Sequence, residues 1–142
     1  MKRLLSALLL VMLVGCAQQP QPAKDDSLYQ DLGQRAGIQR IVEGMLLNVA
    51  KDKRIVERFR RVDIERLRDK LVEFLCMETG GPCTYTGDNL RESHKGQDLT
   101  RGNFNALVEN LIKSMDEQNI SVPVQNRLIA RLAAMRDQVI HQ

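Results

Sequence analysis

Gly80-Gly81-Pro82-Cys83-Thr84-Tyr85-Thr86-Gly87-Asp88-Asn89-Leu90-Arg91-Glu92-Ser93-His94 lies between two helical runs and sets the terms for both. Its glycines and proline end the helix before it and let the chain fold back. From Gly80 to Thr100 apolar residues are few, and Gly, Asn, Asp and Thr are common. A compact core rarely tolerates about 20 residues without regular structure unless they serve a function. This stretch also carries His94. The other histidine, His141, is penultimate and reads as solvated. Taken alone, a histidine in a polar loop is an ordinary surface residue.

Two cysteines frame the start of the stretch. Cys76 and Cys83 lie seven positions apart, which along an unbroken helix is about 10 Å, too far for a disulfide. Gly80-Gly81-Pro82 removes that obstacle. A bridge closing so short a loop stabilises a fold by roughly 2–3 kcal/mol. A redox-active pair is the second reading, although the spacing is not C-x-x-C. A metal site is the third, although no second cysteine pair accompanies it.

Outward from the stretch, strand signals are nearly absent and helical periodicity dominates. Ile38, Ile41, Val42, Met45, Leu46 and Val49 form one stripe, and Ile64, Leu67, Leu71, Phe74 and Leu75 a second. Phe104, Leu107, Val108, Leu111, Ile112 and Met115 form a third, and Val124, Leu128, Leu132, Met135 and Val139 a fourth. Asp63, Thr100 and Ser121 stand where N-caps are expected. Gly33, Gly80-Gly81, Gly87 and Gly96 punctuate the stripes, and no internal repeat occurs. The spacing predicts an all-α domain of four substantial helices over residues 27–142.

The chain opens with Lys2 and Arg3, an apolar run from Leu4 to Val14, then Gly15 and Cys16. A basic start, a short apolar stretch and a small-residue cleavage site read as an export signal. The run falls short of the roughly 20 residues that span a bilayer. Leu13-Val14-Gly15-Cys16 resembles the lipobox of bacterial lipoproteins. That resemblance implies a signal over 1–15, acylation of Cys16 and a membrane anchor. The absence of Asp after Cys16 implies, by the same resemblance, the periplasmic side of the outer membrane. Residues 16–26, with two prolines and no large apolar side chain, read as a flexible tether. Acylation of Cys16 leaves Cys76 and Cys83 as an even pair in an oxidising compartment.

The order of motifs then carries a second resemblance. Leu28-Tyr29 is followed by Leu32-Gly33, Phe59, Phe74-Leu75, Gly80-Gly81-Pro82, Tyr85-Thr86-Gly87, Arg91-Glu92-Ser93-His94 and Phe104. This order and spacing resembles the group I truncated haemoglobins over nearly all of residues 28–140. The resemblance implies a two-over-two helical sandwich around haem b, with His94 as the proximal iron ligand and Phe59 on the haem face. The expected pocket also takes in Tyr85 and Lys70, and the apolar helix face offers Leu107, Val108 and Leu111 either as lining of a porphyrin slot or as ordinary core. A five-coordinate haem iron takes one neutral imidazole on its proximal side.

The chain departs from that family on the distal side. The family commonly has a tyrosine where Leu46 stands, after a phenylalanine where Met45 stands. It commonly has glutamines or similar residues where Leu67 and Leu71 stand. Such polar groups donate to bound oxygen, and each charge-assisted bond is worth roughly 1.5–3 kcal/mol. Three leucines imply fast oxygen dissociation or easy autoxidation, while carbon monoxide and nitric oxide still bind. Lys70 reads as a partner for a haem propionate or as a solvated lysine. Direct iron ligation by Lys70 requires a strongly depressed pKa. Gly33-Gln34 replaces two glycines common in relatives.

Composition excludes several classes. The formal charge of +3 includes Lys2 and Arg3 of the export segment. The nearly neutral remainder gives no global argument for nucleic acid. Basic residues between Lys51 and Lys70 are interspersed with acidic ones, and there is no Trp for base stacking. No HExxH, P-loop, dinucleotide fingerprint or nucleophile elbow occurs.

The expected function is a haem lipoprotein that binds oxygen or other diatomic gases. Nitric oxide dioxygenase or peroxidase-like activity is a conceivable extension, and an envelope electron donor would be needed to keep the iron ferrous. The alternatives are a globin-like envelope lipoprotein for haem holding, haem transfer or protein interaction, and a thiol redox protein using Cys76 and Cys83.

Overall fold

The computed structural model describes residues 25–142. The export segment, Cys16 and all but the last two residues of the expected tether lie outside the described residues. Among the described residues there are seven α-helices and no strand. In chain order they are α1 (Ser27–Asp31), α2 (Gln34–Val49), α3 (Val56–Phe59), α4 (Ile64–Glu78), α5 (Leu90–His94), α6 (Arg101–Glu117) and α7 (Val122–Ala134), and a single 3-10 turn, Arg136–Gln138, follows.

The four long helices coincide with the four apolar stripes. Their starts follow from capping chemistry. Asp63 accepts from the Arg66 N–H at the head of α4. Thr100 and Asn103 satisfy each other's backbone N–H groups at the head of α6, a reciprocal capping box. Ser121 occupies the N-cap of α7 without a side-chain bond, and Pro123 in the first turn starts that helix instead. The fourth stripe runs past the helix that begins it. α7 stops at Ala134, and Met135 and Val139 are carried by the turn that follows.

The α1–α2 corner explains the substituted glycine. Gly33 sits at φ 80° and Gln34 at φ 59°, both left-handed. A side chain in that region costs roughly 1–2 kcal/mol. The Gln34 amide donates to Gln30 Oε1 at 2.8 Å across the corner.

α2 lies at the centre, packed on α4 and on α6, and α6 packs on α7. The α2–α6 crossing is close because Gly44 lacks a side chain. A Cβ there would stand 2.3 Å from the Ser114 hydroxyl, which itself donates to the Ile41 carbonyl at 2.7 Å. Ile38, Ile41, Val42, Met45 and Val49 of α2 are buried together with Leu75, Leu111, Met115 and Leu128. Asn110 of α6 donates to Asp52 at 2.7 Å, and Arg54 bridges Asp52 to Glu109. These donors hold the Asp52 carboxyl well below the usual carboxylate range, the Arg54 guanidinium first. The turn after α2 is thereby tied to α6.

Cys76 and Cys83 are joined in a disulfide. Cys76 is fully buried and Cys83 half-buried. An external thiolate reaches Cys83 first and must expel the buried Cys76 sulfur, a poor leaving group, which disfavours rapid exchange. The double substitution Cys76→Ser, Cys83→Ser is expected to lower stability by about 2–3 kcal/mol. Urea unfolding measures it, and an unchanged midpoint would contradict the expectation.

Candidate functional site

The apolar stripes are not uniformly buried. Leu67, Leu71 and Phe74 of α4 and Phe104, Leu107 and Val108 of α6 remain half-exposed, although their neighbours Leu75 and Leu111 are in the core. These half-exposed side chains face a shared cavity of about 470 Å³, within the range of roughly 300–1,000 Å³ typical of ligand sites. The cavity opens between α4 and α6 and is floored by Met45, Leu75 and Leu111. Phe59 adds to the lining from α3, and Leu132, Met135 and Val139 from α7 and the turn beyond it. Its lining is predominantly apolar, with the charged groups Arg58, Asp63, Arg66 and Lys70 from the α3–α4 side and Asp88 from the segment before α5.

His94 stands in this lining at the last residue of α5. The stretch read as irregular from sequence thus contains a short helix. Asn89 caps it by accepting from the Glu92 N–H, a start signal hidden by the polar run around it. The imidazole Nδ1 lies 2.7 Å from the Leu90 carbonyl oxygen. A carbonyl only accepts, so Nδ1 carries the hydrogen, and in the neutral ring the lone pair is then on Nε2. No other hydrogen bond is made by the ring among the described residues. This is the arrangement by which a backbone carbonyl fixes the tautomer and orientation of a metal-ligating histidine.

The segment leading to α5 is held against α4. Tyr85 lines the cavity and stacks edge-on against Phe74, with ring centroids 5.4 Å apart. Its hydroxyl donates to the Asp88 carbonyl at 2.8 Å. Gly87 makes room for this, because a Cβ there would stand 2.3 Å from the Tyr85 hydroxyl. Glu73 accepts from the Thr86 N–H at 3.1 Å, from the Thr86 hydroxyl at 2.8 Å and from Lys70 Nζ at 3.1 Å. Those donors, Thr86 foremost, hold its carboxyl down to about 2. The charged form is the bound form, so this pinning persists through neutral and mildly acid pH. It is lost only as pH falls from the usual carboxylate range towards about 2.

Nine side chains expected at one site thus meet in one cavity: Phe59, Leu67, Lys70, Leu71, Tyr85, His94, Leu107, Val108 and Leu111. Leu46 does not. It is half-buried against the core cluster, and the α2 residue on the cavity is its neighbour Met45. One helical position rotates a side chain by about 100°, and the Ile41–Met45–Val49 row faces inward. Lys70 is also differently employed. Its ammonium is bound to Glu73 and to the Thr86 hydroxyl, so it has protein partners where a propionate contact or free solvation was expected. Phe74, Leu132 and Met135 were read as ordinary helix-stripe residues. Nothing in periodicity separates a stripe residue that meets a helix from one that meets a cavity.

A model of the bacterial-like globin family matches residues 27–141. The chain belongs to that family. The group 1 truncated haemoglobin of Tetrahymena pyriformis is 31% identical to this globin over 72% of this chain and 85% of its own length. The group 1 truncated haemoglobin GlbN of a Synechocystis species is 30% identical over 82% of this chain and 94% of its own. Solved structures agree. The Tetrahymena pyriformis protein in its Fe(III) form superposes with a TM-score of 0.79 at 28% identity, covering 81% of this chain and 98% of that one. A Synechococcus 2/2 haemoglobin, in the cyanomet state with covalently attached haem, gives 0.74 at 25% identity, covering 80% and 97%. The architecture is therefore all-α and of the truncated, two-over-two globin type.

Proposed function

We propose that this globin holds haem in the α4–α6 cavity, with His94 Nε2 as the iron ligand, and binds diatomic gases there. The observation that carries it is an imidazole with a fixed tautomer and a bare Nε2 in a predominantly apolar cavity. Haem, when bound, supplies an iron centre for gas ligands. The chain supplies the rest. Phe59, Leu107, Val108 and Leu111 offer apolar walls for a porphyrin, and burial of that surface favours retention. Arg58 and Arg66 stand among the charged lining groups and suit the carboxylates of a propionate-bearing ring. The Leu90 carbonyl keeps the imidazole oriented. A visible spectrum of the purified chain with one equivalent of haem tests this. A Soret band that depends on His94 supports the reading, and colourless protein after haem addition ends it.

The apolar part of the lining favours a second reading, haem holding for transfer. Met45, Leu67 and Leu71 include no hydrogen-bond donor, so a bound oxygen would gain little there. Rapid haem exchange with a scavenger protein would favour that version over gas binding.

The proposed setting is the cell envelope, with Cys16 acylated and the domain facing the periplasm. The lipobox-like Leu13-Val14-Gly15-Cys16 supports it. No helix of the described residues is long and apolar enough to cross a membrane. In this reading the acyl chains on Cys16 provide the attachment. Cys16→Ser is expected to move the protein out of the membrane fraction. Unchanged membrane recovery and no incorporation of labelled fatty acid in the parent chain would refute the anchor.

A further inference from the structure

Contacts between α4 and the segment after it run in reverse order. Cys76 meets Cys83, Phe74 meets Tyr85, and Glu73 and Lys70 both meet Thr86. The segment is therefore laid back along α4 like a strap. Beyond Thr86 it passes through Gly87, Asp88 and Asn89 into α5, whose last residue is His94. α4 also carries Leu67 and Leu71, which line the same cavity as His94. The spacing between that leucine wall and the imidazole is thus transmitted through the strap.

We propose that Glu73 is the positioning residue for His94. Its carboxylate pins Thr86 to α4 and so sets where α5 presents the imidazole in the cavity. This deepens the haem reading and rests on it for its functional meaning. The chemistry suits the role. One carboxylate accepts from a backbone N–H, a hydroxyl and an ammonium, and charge-assisted bonds are the strong ones. The disulfide fixes the strap only at Cys83. Between there and the Asn89 cap, the polar ties from the strap to α4 are those of Glu73 and Lys70, and Tyr85 OH bonds within the strap itself. A glutamine at 73 keeps the shape but turns one acceptor into a donor and removes the charge.

The test uses the full chain with Glu73→Gln, Thr86→Val, the double variant and, as a control on an exposed carboxylate of the same helix, Glu65→Gln. Three quantities are read. They are amide hydrogen exchange at Thr86 and Ser93 without haem, haem release to an excess of a haem-scavenging apoprotein, and the iron–histidine stretching band. Glu73→Gln is expected to speed exchange at both amides, to shift the stretching band and to raise haem release about tenfold. Thr86→Val does the same, the double variant adds little to either, and Glu65→Gln matches the parent. Faster exchange at Thr86 with an unmoved stretching band and haem release within twofold of the parent overturns the proposal. Should the parent take up no haem, the haem reading falls separately. Exchange then decides: acceleration reaching Ser93 upholds the positioning role, and acceleration confined to Thr86 overturns it. If Glu73→Gln does not fold, Thr86→Val is judged by the same criteria.

Discussion

His94→Ala is expected to weaken haem binding at least 100-fold and to abolish the normal Soret band. The lining contains one imidazole. His141 lies 3.0 Å from Asp98 on the surface, largely exposed. The one amine of the lining, Lys70, is bound to Glu73 and Thr86. Removing His94 therefore leaves no prepared nitrogen ligand. Loss of a supporting partner of a metal ligand typically costs 10–100-fold, so loss of the ligand itself costs at least about the upper figure. Some haem should still adsorb, because Phe59, Leu107, Val108 and Leu111 are untouched. The apoprotein should hardly notice. His94 is half-buried and makes one side-chain hydrogen bond, so the cost to folding is about 1 kcal/mol. A haem titration beside a urea unfolding curve separates the two effects. Added imidazole should restore part of the band by filling the vacated space. A variant that binds haem within tenfold of the parent would remove His94 from the site.

What the sequence allowed follows from which interactions are local. The four long helices are written in their own apolar rows, and Asp63 and Thr100 mark two starts because a cap is a contact between residues three apart. The site was legible by a different route. Periodicity treats Leu107, Val108 and Leu111 as one stripe, yet Leu111 is in the core and the other two stay half-exposed on the cavity. Only the order of motifs around His94 pointed to a slot between the stripes. Leu46 falls outside this cavity's lining for a related reason. A motif aligns residues along the chain, whereas one position on a helix turns the side chain by about 100°. The Lys70–Glu73–Thr86 cluster could not be read at all. It depends on the strap folding back over α4, which brings together residues 13 and 16 positions apart. The Asn89 cap was local and readable, but five helical residues inside a polar loop give too short a period to detect.

Leu67→Gln is expected to slow oxygen dissociation from the haem-loaded protein by about ten- to hundredfold. The argument begins with the wall itself. Met45, Leu67 and Leu71 line the cavity, and a thioether accepts weakly and donates nothing. Replacing the expected Leu46 by Met45 at this wall therefore leaves the conclusion unchanged. Oxygen held at a ferrous haem here would carry partial negative charge and would be stabilised by a donor. A hydrogen bond to a charged group is worth about 1.5–3 kcal/mol, and 1.4 kcal/mol is a factor of ten. Glutamine at 67 places an amide N–H on the cavity at a half-exposed position beside Asp63 and Arg66, where it can stay hydrated without the full penalty of a buried amide. Carbon monoxide carries little charge and should leave at nearly the parent rate. The oxygen-to-carbon monoxide ratio then isolates the hydrogen bond from any change in cavity shape. Stopped-flow displacement measures both rates, and autoxidation followed in the same samples should slow with oxygen release. A parent protein that already holds oxygen tightly would mean that a donor outside the Met45–Leu67–Leu71 wall reaches the ligand. Arg66 and Lys70 would be the groups to substitute next, because they are the cationic donors that α4 places on this cavity.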